Sequence, residues 1–216
     1  HLHSYPTRRS SDLLKKHISI GDPISLKSEF LNLQNGKYAS KAMDNRAGVT
    51  CLLETIKELK GYKLDSDIIM AATVQEETHL TGAANLAYNL SPDFCIVIDV
   101  CHGDMPEIPK EKLSWLGKGP SVGIGPILNR KLTEKLMETA KNENIPFQFD
   151  IEPGNTGTEA WAIQVSREGI PTVLVSIPLR YMHTTIETLD LKDIASTARL
   201  LARFLISFDK ENQIND

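Results

Sequence analysis

The sequence predicts an α/β fold: a mixed, mainly parallel sheet with helices on both faces. Three short apolar runs have the composition of buried parallel strands: IIMAATV (68–74), FCIVIDV (94–100) and PTVLVSIP (171–178). Longer segments with apolar residues at helical spacing separate these runs, as in residues 46–60 and 130–143. Strands that alternate with helices of this length are typical of an α/β domain.

The region 18–43 differs from the rest because it predicts short strands and no long helix. The runs ISIGDPISL (18–26), SEFLNL (28–33) and KYASKAM (37–43) resemble strands. Asn35 and Gly36 between the last two runs predict a hairpin turn.

Further helices and strands are expected beyond residue 43. The first helix, over 46–60, ends at Gly61. The remaining predicted helices cover 81–90, 158–167 and 189–208, the last with Asp190 as its N-cap, and the remaining predicted strands cover 121–125 and 145–151.

Composition excludes several classes of protein. The 216 residues include 24 Lys and Arg against 28 Asp and Glu, so the net charge is -4 and nucleic acid is not an expected partner. No apolar run approaches the roughly 20 residues that a membrane helix needs, so no membrane partner is expected either. Three cysteines do not form a disulfide framework. A cytoplasmic location is therefore expected.

Four segments are predicted along the chain. Residues 1–13 are expected to be a non-native tail, because HSYPTRRSSDL (3–13) resembles the translation of a sequencing-library adapter. Residues 14–40, with their short predicted strands, are distinguished from residues 41–208, in which strands and helices alternate. The polar end, 209–216, is expected to fray after a helix that ends near Phe208.

Acidic side chains and one imidazole follow the predicted strands. Asp44 follows KYASKAM, Glu76 and Glu77 follow IIMAATVQ, Asp99 follows FCIVI, and His183 follows PTVLVSIPLRYM. Ligands of α/β sheets bind at the carboxyl ends of the parallel strands. If the strands are mainly parallel, these five side chains share one edge of the sheet.

Such a group of carboxylates needs positive charge between them, which two divalent metal ions would supply. Carboxylate oxygen and imidazole nitrogen are suitable ligands of zinc, and cobalt or manganese would also fit. One carboxylate must bridge the two ions, and a Glu that is not a ligand can act as general base on an activated water. The adjacent pair Glu76 and Glu77 suits this division, although chemistry alone leaves open which residue does which. Each residue also has a structural alternative: Asp44 could cap a helix, and His183 could be an ordinary hydrogen-bonded histidine.

Four motifs in order give this pattern much more specificity. KAMDNRAG (41–48), VQEETHLTGA (74–83), IDV (98–100) and RYMHTTIETLDLKDI (180–194) together closely resemble the glutamyl or deblocking aminopeptidase family. These are dinuclear metallopeptidases that form tetrahedral assemblies and are sometimes labelled endoglucanases or cellulases. The resemblance covers about residues 18–208 and implies a zinc-peptidase-like fold, peptide substrates, two metal ions per subunit and a homo-oligomer, the dodecamer.

The resemblance also implies a role for each residue. Asp44 matches the carboxylate that bridges both ions, and Glu76 matches the general base. Glu77 and His183 match ligands of one ion, and Asp99 matches a ligand of the other. Substrate-binding residues are not assigned, although GNTGTEA (154–160) aligns with a segment near the substrate pocket.

One departure from the family pattern affects the expected activity. Family members begin with a His-x-Asp motif that completes the set of ligands around the ion held by Asp99. No such motif precedes Asp44 in this sequence. The resemblance implies that residues 14–40 are the remnant of an inserted β-rich domain and that residues 41–208 are the metallopeptidase catalytic domain. The chain is therefore expected to be an N-terminally truncated fragment with one incomplete metal site and impaired activity.

Two alternatives remain beside a metal-dependent aminopeptidase. The first is a metal-dependent amidase or deacylase. The second is a non-catalytic, metal-binding assembly subunit, which would have no need of the base Glu76.

Overall fold

The computed structural model describes residues 13–106 and 108–214, and for 209–214 it describes the backbone alone. Most of the predicted N-terminal tail, 1–13, therefore lies outside the described residues. The strands are β1 (Leu31–Asn32), β2 (Lys37–Ser40), β3 (Cys95–His102), β4 (Ser121–Ile124), β5 (Gln148–Ile151), β6 (Thr172–Leu179) and β7 (Glu187–Asp190). The helices are α1 (Met43–Leu59), α2 (Glu76–His79), α3 (Thr81–Leu90), α4 (Arg130–Asn142), α5 (Ala160–Ile163) and α6 (Leu191–Ile214).

The main sheet has four strands in the order β3-β6-β4-β5. β3 and β6 are parallel, as are β4 and β5, whereas β4 and β6 are antiparallel. Helices α1, α4 and α6 pack on one face, where Phe204 and Leu136 are fully buried. The smaller helices α3 and α5 pack on the other face, against Val97 and Leu174. The predicted mixed α/β sheet with helices on both faces is confirmed.

A second sheet of three antiparallel strands, β1-β2-β7, lies beside the first. The predicted hairpin turn is confirmed, with Asn35 in the left-handed region at φ 60° between β1 and β2. β2 also pairs with β7, from Lys37 opposite Asp190 to Ser40 opposite Glu187. This pairing brings the start of α1 next to the loop between β6 and β7.

Two predicted strands are absent from the described residues. Residues 18–26 form no strand, and neither does the apolar run 68–74, in which Ile69 and Val74 are largely exposed. A cleft of about 1060 Å³ lies between residues 66–73 and the edge strand β3. A strand requires a neighbour within hydrogen-bonding distance, and within the described chain the backbone of 68–73 forms no hydrogen bond to another backbone group. Apolar composition alone was therefore not sufficient to predict a strand at residues 68–74.

The C-terminal helix is longer than predicted. It begins after Asp190, whose Oδ1 accepts from the N–H of Lys192, so the predicted N-cap is confirmed. The expected end near Phe208 is wrong, because the helical backbone of α6 continues to Ile214. Lys, Glu and Gln have high helix propensity, so the helix continues beyond its last apolar contacts. None of the helices in the described part of the chain is long and apolar enough to cross a membrane.

Candidate metal centre

Asp44 lies in the first turn of α1, directly after the backbone leaves β2. Its side chain makes no helix cap, because the hydrogen bond of that kind is made by Asn45, whose Oδ1 accepts from the N–H of Gly48 at 2.8 Å. The Asp44 carboxylate instead faces His183, with 3.1 Å between Oδ2 and Nε2. The structural alternative of a capping aspartate therefore does not apply.

Glu76 and Glu77 lie in the single-turn helix α2. This helix follows Gln75, whose φ of 63° turns the chain sharply after the extended segment 68–74. Glu77 is exposed, and its Oε2 is 3.3 Å from Nε2 of His183. Glu76 is half-buried and is not part of this contact.

His183 occupies the loop that joins β6 to β7. The backbone at His183 is left-handed, with φ 63°, and the side chain is 66% exposed. The ligand atoms of Asp44, Glu77 and His183 all lie within 4.8 Å of one another. Three side chains that are distant in sequence therefore present two carboxylate oxygens and one imidazole nitrogen to a common point.

The spacing of these atoms fits a small divalent cation. Ligands at zinc distances of about 2.0–2.1 Å in a tetrahedron lie about 3.3 Å from one another. The two distances from the His183 nitrogen, 3.1 Å and 3.3 Å, are close to that value. The donor set of oxygen and nitrogen suits zinc and its neighbours alike, so it does not select one metal.

Asp99 lies within β3, and the expectation that it follows the strand end is wrong because β3 continues to His102. It is 6% exposed and lies outside the three-residue cluster. Its Oδ1 accepts from the N–H of Val100 at 2.8 Å and from Nδ2 of Asn45 at 3.2 Å. Burial, together with the charges of Asp44 and Glu76, raises the pKa of Asp99 to about 8, although the hydrogen bond from the Val100 N–H opposes the rise.

The carboxylates of the centre repel one another electrostatically. Burial, and then the charge of Glu77, raises the pKa of Asp44 to about 6. Burial, and then the charges of Glu77 and Asp44, raises the pKa of Glu76 to about 6. Because a nearby cation would favour the charged form of each group, the arrangement suits a cation.

Three polar residues near the centre have no role in the sequence analysis. Asn45 connects the start of α1 to β3, and Glu187 accepts from the backbone beside both Asp44 and His183. Glu159 accepts a hydrogen bond from Thr73 and thus connects the segment before α2 to the start of α5. Asn45 and Glu187 lie inside the motifs that carry the family resemblance, and this position in the sequence is the signal that could have identified them.

An α/β fold with two carboxylates and an imidazole gathered beside its main sheet places this chain in the class of proteins with a candidate metal site. The sequence model of the M42 glutamyl aminopeptidase family matches residues 6–200. The chain belongs to this family.

Individual relatives agree with this assignment. The chain is 35% identical over 176 residues to lysyl aminopeptidase from Pyrococcus furiosus, an alignment that covers 82% of this chain and 50% of the relative. The structure is similar to the TET aminopeptidase of a marine-sediment Thaumarchaeota archaeon, with a TM-score of 0.86, 33% identity and coverage of 95% of this chain and 60% of the other. It is also similar to the Pyrococcus horikoshii TET1 peptidase, which assembles into a tetrahedron or a large octahedral shell, with a TM-score of 0.71, 31% identity and coverage of 83% and 53%. The chain spans half to three fifths of the length of these three proteins.

Proposed function

We propose that this chain forms the metal-binding part of an aminopeptidase that removes N-terminal residues from short peptides with two divalent metal ions. The observation that carries the proposal is the cluster of Asp44, Glu77 and His183, with Glu76 next to Glu77 in the sequence. Membership of a family described as glutamyl aminopeptidases supports the same reaction.

Three acidic residues and the histidine of the centre are proposed as metal ligands. Asp44, Glu77 and His183 would hold one ion, and Asp44 and Asp99 would contribute to the other. Zinc is the expected metal, and the donor set also fits cobalt and manganese. Two bound divalent ions would lower the pKa of a water molecule and polarise the carbonyl of the first peptide bond.

Glu76 is the proposed general base. One of its Oε atoms accepts a proton from the attacking water and then returns it to the amino group that leaves. Its pKa, raised to about 6 chiefly by burial, remains below neutrality, so the carboxylate is charged at pH 7 and able to accept the proton. Glu77 is more exposed and faces His183, which suits a ligand better than a base.

Peptides are therefore the proposed substrates, and a homo-oligomer is the proposed assembly. The tetrahedral and octahedral shells described for the Pyrococcus horikoshii relative support an oligomer. The dodecamer and the cytoplasmic location stay predictions.

The adjacent glutamates provide a matched pair of variants for testing this proposal. Zinc binding to the purified chain is measured by competition with a chromophoric chelator, and hydrolysis is measured on a panel of aminoacyl-anilides and acyl-amino acids. The unsubstituted chain, with one incomplete metal site, should hydrolyse weakly, and we expect Glu76→Gln to retain zinc and to lower this weak hydrolysis by about 10²–10⁴-fold, because only the base is removed. We expect Glu77→Gln to lose zinc, because a ligand is removed.

Three outcomes would contradict parts of the proposal. If the unsubstituted chain bound no zinc, the metal centre would be wrong. If it bound zinc but cleaved neither aminoacyl-anilides nor acyl-amino acids, the non-catalytic metal-binding alternative would replace the aminopeptidase. If it cleaved only acyl-amino acids, the amidase or deacylase would replace it.

A further inference from the structure

Glu187, the first residue of β7, is a buried carboxylate surrounded by backbone N–H groups. It is 2% exposed. Its Oε2 accepts from the N–H of Met43 at 2.6 Å and from the N–H of Asp44 at 3.1 Å. Its Oε1 accepts from the N–H of His183 at 2.8 Å. One side chain therefore connects the two segments that carry Asp44 and His183.

These two segments need such a connection because each contains backbone angles that a regular helix or strand does not have. Ala42 and His183 have φ angles of 55° and 63°, in the left-handed region that non-glycine residues seldom adopt. Such conformations persist when the surrounding contacts enforce them. The hydrogen bonds to Glu187 are made immediately after Ala42 and at His183 itself, where this enforcement is required.

The exposure of His183 is a second reason to expect that its backbone determines the position of its ring. Its side chain is 66% exposed, so few packing contacts can fix the position of the ring. Its position must then be set mainly through its backbone, and the N–H that Glu187 accepts is part of that backbone. Asp44 is anchored through its own N–H in the same way.

The geometry leaves Glu187 no role as a ligand or base. Both of its oxygens already accept from backbone N–H groups, and the side chain is only 2% exposed, so neither oxygen is open to a metal ion or to water. Charge-assisted hydrogen bonds of this type are stronger than neutral ones, so the carboxylate is well suited to hold two loops together.

We propose that Glu187 is a positioning residue that sets the separation of Asp44 and His183 before a metal ion binds. The inference rests on the proposed metal centre and adds a residue to it. An amide at this position could accept through only one atom, and its NH₂ group would face one of the two sets of N–H groups. Glu187→Gln should therefore release one of the two loops while keeping the shape of the side chain.

The test compares Glu187→Gln with Asp193→Asn in the full 216-residue chain. Asp193 is an equally buried carboxylate that accepts from the N–H groups of Gly117 and Gly119, but it does not contact the metal centre. Zinc affinity is measured by chelator competition, and the absorption spectrum of bound Co²⁺ is recorded for both. We expect Glu187→Gln to lower zinc affinity by about 10–100-fold and to alter the cobalt spectrum, as losses of ligand-orienting groups do. Asp193→Asn should change neither.

Three results would overturn the inference. Unchanged zinc affinity in Glu187→Gln would do so while leaving the proposed function intact. Equal losses in both variants would assign the effect to general destabilisation. Absence of zinc binding in the unsubstituted chain would remove the proposed function and this inference together.

A second measurement needs no variant and so remains valid if Glu187→Gln does not fold. In the metal-free protein, hydrogen exchange followed by NMR should show that the N–H groups of Met43, Asp44 and His183 are protected. Protection before metal is added is expected because Glu187 already accepts from all three. Exchange at the rate of an open loop at either segment would overturn the proposed positioning.

Discussion

Asp193 provides a test of how burial controls the stability of this protein as pH changes. Its carboxylate is fully buried in the first turn of α6. Oδ2 accepts from the N–H of Gly117 at 2.7 Å, and Oδ1 accepts from the N–H of Gly119 at 2.8 Å. Burial raises the pKa of Asp193 to about 6, although the two N–H groups oppose the rise.

The sign and size of the effect follow from this pKa. The pKa in the folded state, about 6, lies above the ordinary value of 3.8, so the folded protein binds the proton more tightly than the unfolded chain. The stability that this proton contributes is complete below pH 3.8 and is lost as pH rises through 6. At about 1.4 kcal/mol per pKa unit, the loss is about 3 kcal/mol of unfolding free energy by pH 7.5.

The assay is urea unfolding of the metal-free protein and of Asp193→Asn at pH 4.5 and pH 7.5. Other carboxylates with a raised pKa, such as Asp44 and Asp99, titrate in both proteins, so comparing the two pH dependences isolates Asp193. Part of the total is already lost at pH 4.5, so we expect the unsubstituted protein to lose about 2 kcal/mol more than the variant between these pH values. Equal losses in both proteins would refute the argument from burial.

Two further predictions concern hydrogen bonding and backbone shape. Asn45→Ala removes a donor to β3 and to Asp99 as well as the acceptor at the start of α1. The free energy of unfolding, measured by urea unfolding, should therefore fall by about 1–3 kcal/mol. The exposed control Asn89→Ala should lower it by less than about 0.5 kcal/mol, and equal losses in the two variants would contradict the role of these hydrogen bonds. Gly119→Ala should lower the melting temperature, because Gly119 has φ 86° and a Cβ would lie 2.0 Å from a backbone carbonyl oxygen. Gly154→Ala, with no atom within 4 Å of the added carbon, should leave the melting temperature nearly unchanged, and a similar loss in both glycine variants would contradict this reasoning.

The sequence allowed candidate site residues to be named, but the physical argument from strand ends was only partly correct. His183 does follow β6, by four residues. Asp99 lies inside β3, and Asp44 follows β2, which belongs to the antiparallel sheet. Glu77 follows an extended segment that is not a strand. The strand-end rule and the family motifs named the same five residues, of which Asp44, Glu77 and His183 lie together in the structure.

The parts that could not be predicted depend on neighbours that are distant in sequence. The apolar run 68–74 has strand-like composition, but whether it pairs depends on what lies beside it. β7 has the opposite difficulty, since its four residues, 187–190, show no alternation and all four are buried. It is a strand because β2 pairs with it. Local sequence does not reveal this pairing, and the predicted start of the final helix at Leu189 therefore lies inside the strand.

The small antiparallel sheet, rather than the main sheet, should therefore set the separation of Asp44 and His183. Ser40 and Glu187 are the last pair in the β2–β7 ladder, and each lies only four residues from one of the two ligands. A one-residue slip in this register would turn the side chain of Glu187 to the opposite face of the sheet. The carboxylate would then no longer reach the N–H groups of Asp44 and His183. Formation of the β2–β7 ladder in the correct register is thus a precondition for a preorganised metal centre.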